Sequence, residues 1–145
     1  MSQESNEKVR ILIVDDHAVV RQGLITFLEL QDEIEVVGEA SNGKEALQRV
    51  QELEPDVVLM DLVMPVMDGL TAIKQIKQLR PSTEVIALTS FADDEKVFTA
   101  IRSGATGYLL KDVQPNDLVK AVLAADRGAI VERDALGFQR GRFPR

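Results

Sequence analysis

The 145-residue sequence contains no cysteine and only one histidine. The absence of cysteine excludes a disulfide framework, a thiolate zinc site, an iron–sulfur cluster and a cysteine nucleophile. The longest apolar run covers only residues 62–67, far short of the ~20 residues that cross a bilayer. The polar start, MSQESNEK, has no signal-peptide core. These absences predict a cytoplasmic protein that does not enter the membrane.

Charge is distributed unevenly along the chain. The 17 Lys and Arg and 24 Asp and Glu residues give a net charge of −7. Residues 127–145 carry a net +3, whereas residues 1–126 carry a net −10. The negative charge of residues 1–126 disfavours a nucleic-acid-binding surface there. The arginines of residues 127–145 predict at best weak, salt-sensitive binding to DNA. The length and a hydrophobic content of 45% predict one domain with a single core.

Apolar runs alternate with segments of helical spacing. Five runs rich in aliphatic residues have the pattern of strands buried on both faces; they cover residues 9–14, 34–38, 57–60, 85–88 and 107–110. Each is followed by a segment with an amphipathic helical pattern, of which residues 94–103 have the thinnest apolar face. The alternation predicts an α/β fold, a doubly wound parallel sheet with helices on both faces.

Polar residues stand where the predicted strands end. Asp15 and Asp16 follow the first strand, Asp61 the third and Lys111 the fifth, and Thr89 follows the fourth. Since parallel strands with right-handed crossovers end at one edge of the sheet, these side chains should converge there.

The expected cluster has a specific chemistry. Three carboxylates without a cysteine partner favour a hard cation such as Mg²⁺, and an ammonium and a hydroxyl beside them form a clamp for a phosphoryl group. Simpler interpretations exist for each residue: the Asp15–Asp16 pair caps the next helix, Lys111 is solvated, and His17 is structural or faces solvent. Asp61 is harder to explain in this way, because a charge within VVLMDLVMP is costly unless it is paired or binds a metal.

Four motifs together carry a family resemblance. VRILIVDDH, VVLMDLVMPVMDG, VIALTS and GATGYLLKD resemble, in this order, the receiver domain of two-component response regulators. The resemblance implies a flavodoxin-like (βα)5 sandwich with a five-stranded parallel sheet in the order 2-1-3-4-5. DDHAVVRQGL and GYLLKD further resemble the NarL-like (LuxR/FixJ-type) regulators, in which a DNA-binding domain normally follows the receiver.

The resemblance assigns roles at the expected site. It makes Asp61 the phosphoacceptor, which takes a phosphoryl group from a cognate histidine kinase. Asp16 and Asp61 would bind Mg²⁺ together with the backbone carbonyl of Val63, and Asp15 would belong to the same metal site, contributing its negative charge commonly through a water. Lys111 would pair with a phosphoryl oxygen.

The resemblance also implies a switch. Thr89 would hydrogen-bond the phosphoryl group, and Tyr108 would turn inward when Thr89 moves; helix 94–103 is the expected responding element. The residues two positions after the acceptor and the switch threonine are Val63 and Phe91. Because neither can orient a water, we expect a long-lived phosphorylated state. Phosphorylation is expected to promote homodimerisation.

The chain divides into three predicted regions. Residues 1–8 form a polar tail, 9–127 the receiver, and 128–145 a linker remnant or an artificial tail, too short for a DNA-binding domain. Asp112 stands where many receivers have proline, which we interpret as a subfamily mark. We therefore expect a regulatory half whose DNA-binding output domain is absent; a stand-alone receiver is the alternative.

Two other functions are disfavoured. A haloacid-dehalogenase-like phosphatase needs an acid two residues after its nucleophile, and Val63 occupies that position. A nucleotide-binding flavodoxin-like protein needs a glycine-rich loop after the first strand, where this chain has Asp15 and Asp16. The expected chain is therefore no enzyme beyond its own phosphorylation and slow dephosphorylation.

Overall fold

The fold alternates strands and helices along the whole described chain. The computed structural model describes residues 7–64, 66–90, 94–128 and 131–133, with the backbone alone at 94–97 and 131–133. The elements in chain order are β1 (Val9–Val14), α1 (Ala18–Glu29), β2 (Ile34–Ala40), α2 (Gly43–Leu53), β3 (Val57–Asp61), α3 (Gly69–Leu79), β4 (Glu84–Thr89), α4 (Asp94–Arg102), β5 (Gly107–Leu110), α5 (Pro115–Asp126) and β6 (Val131–Arg133). Every described helix is too short or too polar to cross a membrane.

All strands of the sheet run parallel, in the order β2-β1-β3-β4-β5-β6. The expected order of the first five strands is confirmed. The sheet differs from the expectation by a sixth strand, β6, in the segment that was predicted to be a tail. β6 pairs with the outer edge of β5, Gly107 with Val131 and Leu109 with Arg133. Three residues are too few for a periodic pattern, which is why the sequence did not predict this strand.

Strand boundaries depend on backbone pairing as well as on apolar side chains. β1 and β5 have the predicted limits. β2 continues beyond residue 38 to Ala40, and β4 begins one residue earlier and ends one later than predicted. β3 includes Asp61, which pairs in register with Leu88. Charged residues at strand ends keep their ladder hydrogen bonds, so an apolar run underestimates the length of a strand.

The core lies on both faces of the sheet. Leu12 and Val14 face a cluster built with α2, α3 and α4, whereas Ile11 and Ile13 face a second cluster built with α1 and α5. This alternation is the period of two that a strand imposes, and it leaves β1 and β3 almost completely buried. A sheet covered on both faces is rigid, and side chains at its strand ends are held by that rigid frame.

Capping interactions fix where two helices begin. Asn42 accepts a hydrogen bond from the backbone N–H of Glu45, and Glu45 accepts hydrogen bonds from the backbone N–H and the hydroxyl of Ser41. Asp68 caps α3 by accepting from the N–H of Thr71 at 2.8 Å. Both helices therefore start at residues that the sequence defines locally.

Candidate functional site

Four polar side chains meet at the carboxyl edge of the sheet. Asp15 and Asp16 follow β1, Asp61 is the last residue of β3, and Lys111 follows β5. The Lys111 Nζ atom lies 3.2 Å from Asp15 Oδ2 and 3.2 Å from Asp61 Oδ2. The structure thus joins residues that are up to 96 positions apart in sequence around one ammonium group.

The carboxylates of this cluster are withdrawn from solvent. Asp15 is fully buried and Asp61 is 2% exposed, while the side chain of Asp16 is partly exposed. Asp61 Oδ1 accepts a hydrogen bond from the backbone N–H of Val63 at 3.2 Å. Among the described residues, the buried atoms Asp15 Oδ2, Asp16 Oδ1 and Asp61 Oδ2 accept no hydrogen bond. The single Lys111 ammonium is close to two of these atoms, and buried acceptors with so few donors are costly and typical of ligand sites.

Burial and charge shift two pKa values at the site. Burial raises the pKa of Asp61, and the negative charge of Asp15 adds to this, although the Val63 N–H and Lys111 act in the opposite direction. Burial alone would lower the pKa of Lys111, but the carboxylates of Asp61 and Asp15 outweigh it and raise that pKa. The raised pKa of Lys111 favours its charged form, whereas the raised pKa of Asp61 means that burial disfavours the ionised carboxylate.

His17 faces solvent, as the sequence allowed, and it also contacts this cluster. Its ring Nδ1 lies 3.1 Å from Asp15 Oδ1 and 3.2 Å from Asp16 Oδ1, and its backbone N–H donates to Asp15 Oδ1. His17 is also the N-cap of α1, where it makes no side-chain capping hydrogen bond. The N-cap position therefore does not belong to Asp15 or Asp16, so helix capping does not account for that pair. The sequence feature that could have indicated this contact is that His17 directly follows Asp15 and Asp16.

Arg21 supports the acidic turn from α1. Its Nη1 donates to the backbone carbonyl of Asp15 at 2.6 Å, and its Nε donates to Glu39 Oε1 at 2.6 Å. The guanidinium thus ties the end of β1 to β2 next to it, and the fork geometry of arginine suits two simultaneous acceptors. No motif in the sequence pointed to this residue, because its partners are defined only by the fold.

The loop after β3 is held close to the strand end. Gly69, the first residue of α3, donates its N–H to the carbonyl of Leu62. A Cβ atom at Gly69 would lie 2.4 Å from the backbone oxygen of Asp61. Only glycine permits this approach, so Gly69 helps to fix the backbone that presents Asp61. The side chain of Val63 points away and is 61% exposed.

The remaining expected residues lie beside the acidic cluster. Thr89 ends β4 and is buried, and its carbonyl accepts from the backbone N–H of Lys111 at 2.8 Å. Tyr108 pairs in register with Ala87 and therefore shares a sheet face with Thr89. Tyr108 is 5% exposed and packs in the cluster beneath α3 and α4. Phe91 lies outside the described residues.

The donor set fits a divalent cation. Asp15, Asp16, His17 and Asp61 each offer one ligand atom, and these atoms all lie within 4.8 Å of one another. The three buried carboxylate oxygens without hydrogen bonds are hard oxygen ligands of the kind that Mg²⁺ binds. The expectation of a metal-binding acidic pocket therefore agrees with the donors present.

A family model for the response regulator receiver domain matches residues 11–123. The chain belongs to this family. Its expected resemblance to response regulators is confirmed, and accepting a phosphoryl group is the function of the family. Receiver domains act in signalling and are not classical enzymes.

Curated relatives and solved structures agree with this membership. The transcriptional regulatory proteins YhcZ and LiaR of Bacillus subtilis are 54% and 50% identical over 77% and 83% of this chain. The chain spans only 52% and 57% of those two proteins. The signal receiver domain of NarL from Mycobacterium tuberculosis is 38% identical with a TM-score of 0.81, and the match covers 84% of this chain and 98% of that one. The match to NarL confirms the expected NarL-like resemblance.

Proposed function

We propose that Asp61 is the phosphoacceptor of this receiver and that its phosphorylation by a cognate histidine kinase is the signal. The observation that carries this assignment is the position of Asp61 Oδ2, buried, without a hydrogen bond and 3.2 Å from the Lys111 ammonium. A buried carboxylate next to a fixed cation is suited to attack a phosphoryl group and to become an acyl phosphate.

The proposed step is a transfer between two atoms. An oxygen of Asp61 forms a bond to phosphorus while the bond from phosphorus to the donor imidazole nitrogen breaks. The donor ring, protonated at its other nitrogen before the transfer, leaves with the bonding electron pair and so becomes a neutral imidazole. Lys111 favours the ionised form of Asp61 against the effect of burial and then pairs with a phosphoryl oxygen, so that positive charge stays in place throughout the transfer.

We propose that the cation bound by the acidic cluster is Mg²⁺. Asp15, Asp16 and Asp61, with the backbone carbonyl of Val63, would hold the ion, which would neutralise negative charge on the phosphoryl oxygens. Arg21 supports this role indirectly, because its hydrogen bond to the Asp15 carbonyl keeps the acidic turn in one conformation. Removing the repulsion among three carboxylates is the main task that any bound cation performs here.

The proposed switch runs through Thr89 and Tyr108. The Thr89 hydroxyl donates to a phosphoryl oxygen, and Tyr108 occupies the space beside it on the same sheet face. The inward position of Tyr108, 5% exposed, is the one expected of the activated form. α4 packs over this face through Ala100 and is the element whose position the switch would change.

The wider role follows from the relatives. We propose that the chain regulates transcription through a DNA-binding output domain in the cytoplasm and that phosphorylation promotes a homodimer. The support is that LiaR and YhcZ are named transcriptional regulatory proteins and are longer than this chain. Sedimentation of the phosphorylated and unphosphorylated forms tests the dimer.

A long-lived phosphorylated state is part of the proposal. Val63 and Phe91 are apolar, so neither orients a water for attack on the acyl phosphate. Replacement of Val63 by asparagine is expected to accelerate the loss of the phosphoryl group in Mg²⁺, measured by intact mass over time. Equal lifetimes, or complete loss from the wild type within minutes, would contradict this assignment.

The acceptor itself is tested by labelling. With a small acyl phosphate and Mg²⁺, the wild type should gain one phosphoryl group, and Asp61→Asn should gain none. Asp56→Asn, at the opposite end of the sheet, is the matched control and should label like the wild type. Labelling of Asp61→Asn at the wild-type rate refutes the assignment.

A further inference from the structure

His17 places the only imidazole of the chain against the acidic cluster. Its Nδ1 atom is 3.1 Å from Asp15 Oδ1 and 3.2 Å from Asp16 Oδ1, and the opposite side of the ring faces solvent, with 62% of the side chain exposed. An ion arriving from solvent therefore meets this ring at the edge of the site. The ring is not used as a helix cap, since α1 has no side-chain capping hydrogen bond.

The spacing of these atoms is that of ligands around one ion. Neighbouring ligands of an octahedral ion with bonds of about 2.1 Å are about 3.0 Å apart, and opposite ones are about 4.2 Å apart. The two nitrogen–oxygen distances of 3.1 and 3.2 Å match neighbouring positions. The hydrogen-bond contact between Nδ1 and Asp15 Oδ1 would be exchanged for bonds from both atoms to the ion. The largest separation among the four ligand atoms, within 4.8 Å, exceeds that of opposite positions only slightly. A small contraction thus closes the set around a cation.

Two observations indicate that the cluster awaits a cation and is not merely a set of acidic residues. Asp15 and Asp61 are at least 98% buried, their Oδ2 atoms accept no hydrogen bond among the described residues, and the one Lys111 ammonium, 3.2 Å from both, offsets only one of the negative charges at the site. The hydrogen bond from the His17 backbone N–H to Asp15 Oδ1, 2.8 Å long, already holds the residue beside these carboxylates. Little side-chain freedom therefore has to be lost when the ring binds an ion.

We propose that His17 is a further ligand of the cation in this site, through Nδ1 of the tautomer that is protonated at Nε2. The inference rests on the proposed cation site of Asp15, Asp16 and Asp61 and extends it from oxygen-only to mixed oxygen and nitrogen ligation. Imidazole favours divalent ions of the later first transition series, whereas Mg²⁺ prefers oxygen. His17 is thus the residue that raises the affinity of this receiver for such ions relative to Mg²⁺.

The test compares Co²⁺ with Mg²⁺ by titration calorimetry on the full chain without a histidine tag. His17→Gln should weaken Co²⁺ binding about tenfold or more, as expected for loss of a tuning ligand, and change Mg²⁺ binding by less than about twofold. Proton NMR of the Co²⁺ complex gives a second readout, because a ligated ring shows contact shifts far larger than the through-space shifts of a ring that is only close to the ion. The chain has one histidine, so any such signal is that of His17.

The controls separate this inference from the function on which it rests. Asp61→Asn should weaken binding of both ions, since it removes a shared oxygen ligand. If Co²⁺ binding depends on Asp61 but is the same in His17→Gln, and the ring shows no contact shifts, the role of His17 is refuted and the cation site stands. If the wild type binds neither ion, both are refuted. His17 is exposed, and circular dichroism checks that His17→Gln is folded.

Discussion

At the amino-terminal edge of the sheet, polar groups are matched with partners. The hydroxyl of the fully buried Thr83 donates to the carbonyl of Pro55 at 2.8 Å. Asp56 Oδ2 accepts from the backbone N–H of Arg10, and the Lys77 ammonium donates to the carbonyl of Thr83. Each of these bonds joins two segments of the chain and stabilises the fold.

At the carboxyl-terminal edge, two buried carboxylates share the single ammonium of Lys111, and hydrogen bonding is incomplete. Four buried side-chain atoms of the described residues lack a hydrogen-bond partner, and three of them belong to Asp15, Asp16 and Asp61. The fourth, Arg80 Nε, lies between α3 and β4 and is the exception at the amino-terminal edge. Buried carboxylates that lack hydrogen bonds lower stability, and such groups are typical of sites that bind a ligand. Polar groups at the amino-terminal edge thus stabilise the fold through hydrogen bonds, whereas the carboxylates at the carboxyl-terminal edge are available to bind a ligand.

Among the substitutions that test this difference between the two edges, Lys111→Met is expected to have the largest effect on the free energy of unfolding. It removes the cation from between two buried carboxylates, and we expect a loss of about 1–3 kcal/mol of unfolding free energy, below the value for a fully buried pair because Lys111 is partly exposed. Since the pKa of Lys111 is raised on folding, its stabilisation is present at neutral pH and is lost as the pH rises through the folded pKa.

Urea denaturation with a chelator measures this loss, and phosphorylation by a small acyl phosphate should slow in parallel. Lys120→Met, on the exposed side of α5, is the matched control and should change neither. Equal stability of Lys111→Met and the wild type would mean that Asp15 and Asp61 do not depend on this ammonium.

Thr83→Val tests the amino-terminal edge, where a lost hydrogen bond should lower stability without affecting phosphorylation. The substitution keeps the shape of the side chain but leaves the Pro55 carbonyl without its donor, which should cost about 1–2 kcal/mol. Phosphorylation should be unchanged, because Thr83 is remote from the acidic cluster. The exposed Thr71 provides the control, and Thr71→Val should alter stability by less than about 0.5 kcal/mol. A slower phosphorylation of Thr83→Val would show that the edges are coupled.

The smallest expected effect is that of Glu45→Gln at the start of α2. Hydrogen bonds from the backbone and hydroxyl of Ser41 lower the pKa of Glu45, and the charge also interacts favourably with the helix N-terminus. We expect a loss of about 0.3–1 kcal/mol at neutral pH. A carboxyl whose pKa falls on folding stabilises the protein above its unfolded pKa, and this contribution disappears as the pH falls through the folded pKa.

Thermal unfolding of the two proteins from neutral to acidic pH follows this difference. The wild type should be the more stable at neutral pH, and the two curves should meet in acid. A difference that stays constant over the whole range would assign the effect to the amide and not to the charge.

Side-chain patterns predicted the fold well where apolar runs have clear ends. β1 and β5 were predicted with their observed limits because charged or small residues bound them on both sides. Glu39 and Glu84 lie inside strands, yet they carry no apolar signal, because a strand end needs only backbone pairing. β6 was missed for the related reason that its pairing with β5 joins segments that no local pattern connects.

The sequence predicted that the candidate site lies at the carboxyl edge of the sheet, but not all of the contacts within it. Parallel strands brought Asp15, Asp16 and Asp61 together with Lys111, as their positions at strand ends implied. The contacts of His17 and Arg21 were not predicted, because they depend on the direction of the turn between β1 and α1. Such a turn is determined by packing of the helix against the sheet, which one sequence does not specify.

The sixth strand changes what the sheet presents at its border. β5 would otherwise expose the unpaired backbone groups of Gly107–Leu110 along one side, and long free edges of this kind recruit strands from other molecules. β6 pairs with that side at three positions and replaces it with a border of only three residues. In the described part of the chain, β6 therefore covers three of the four residues along this side of β5 and leaves a shorter edge for pairing with other molecules.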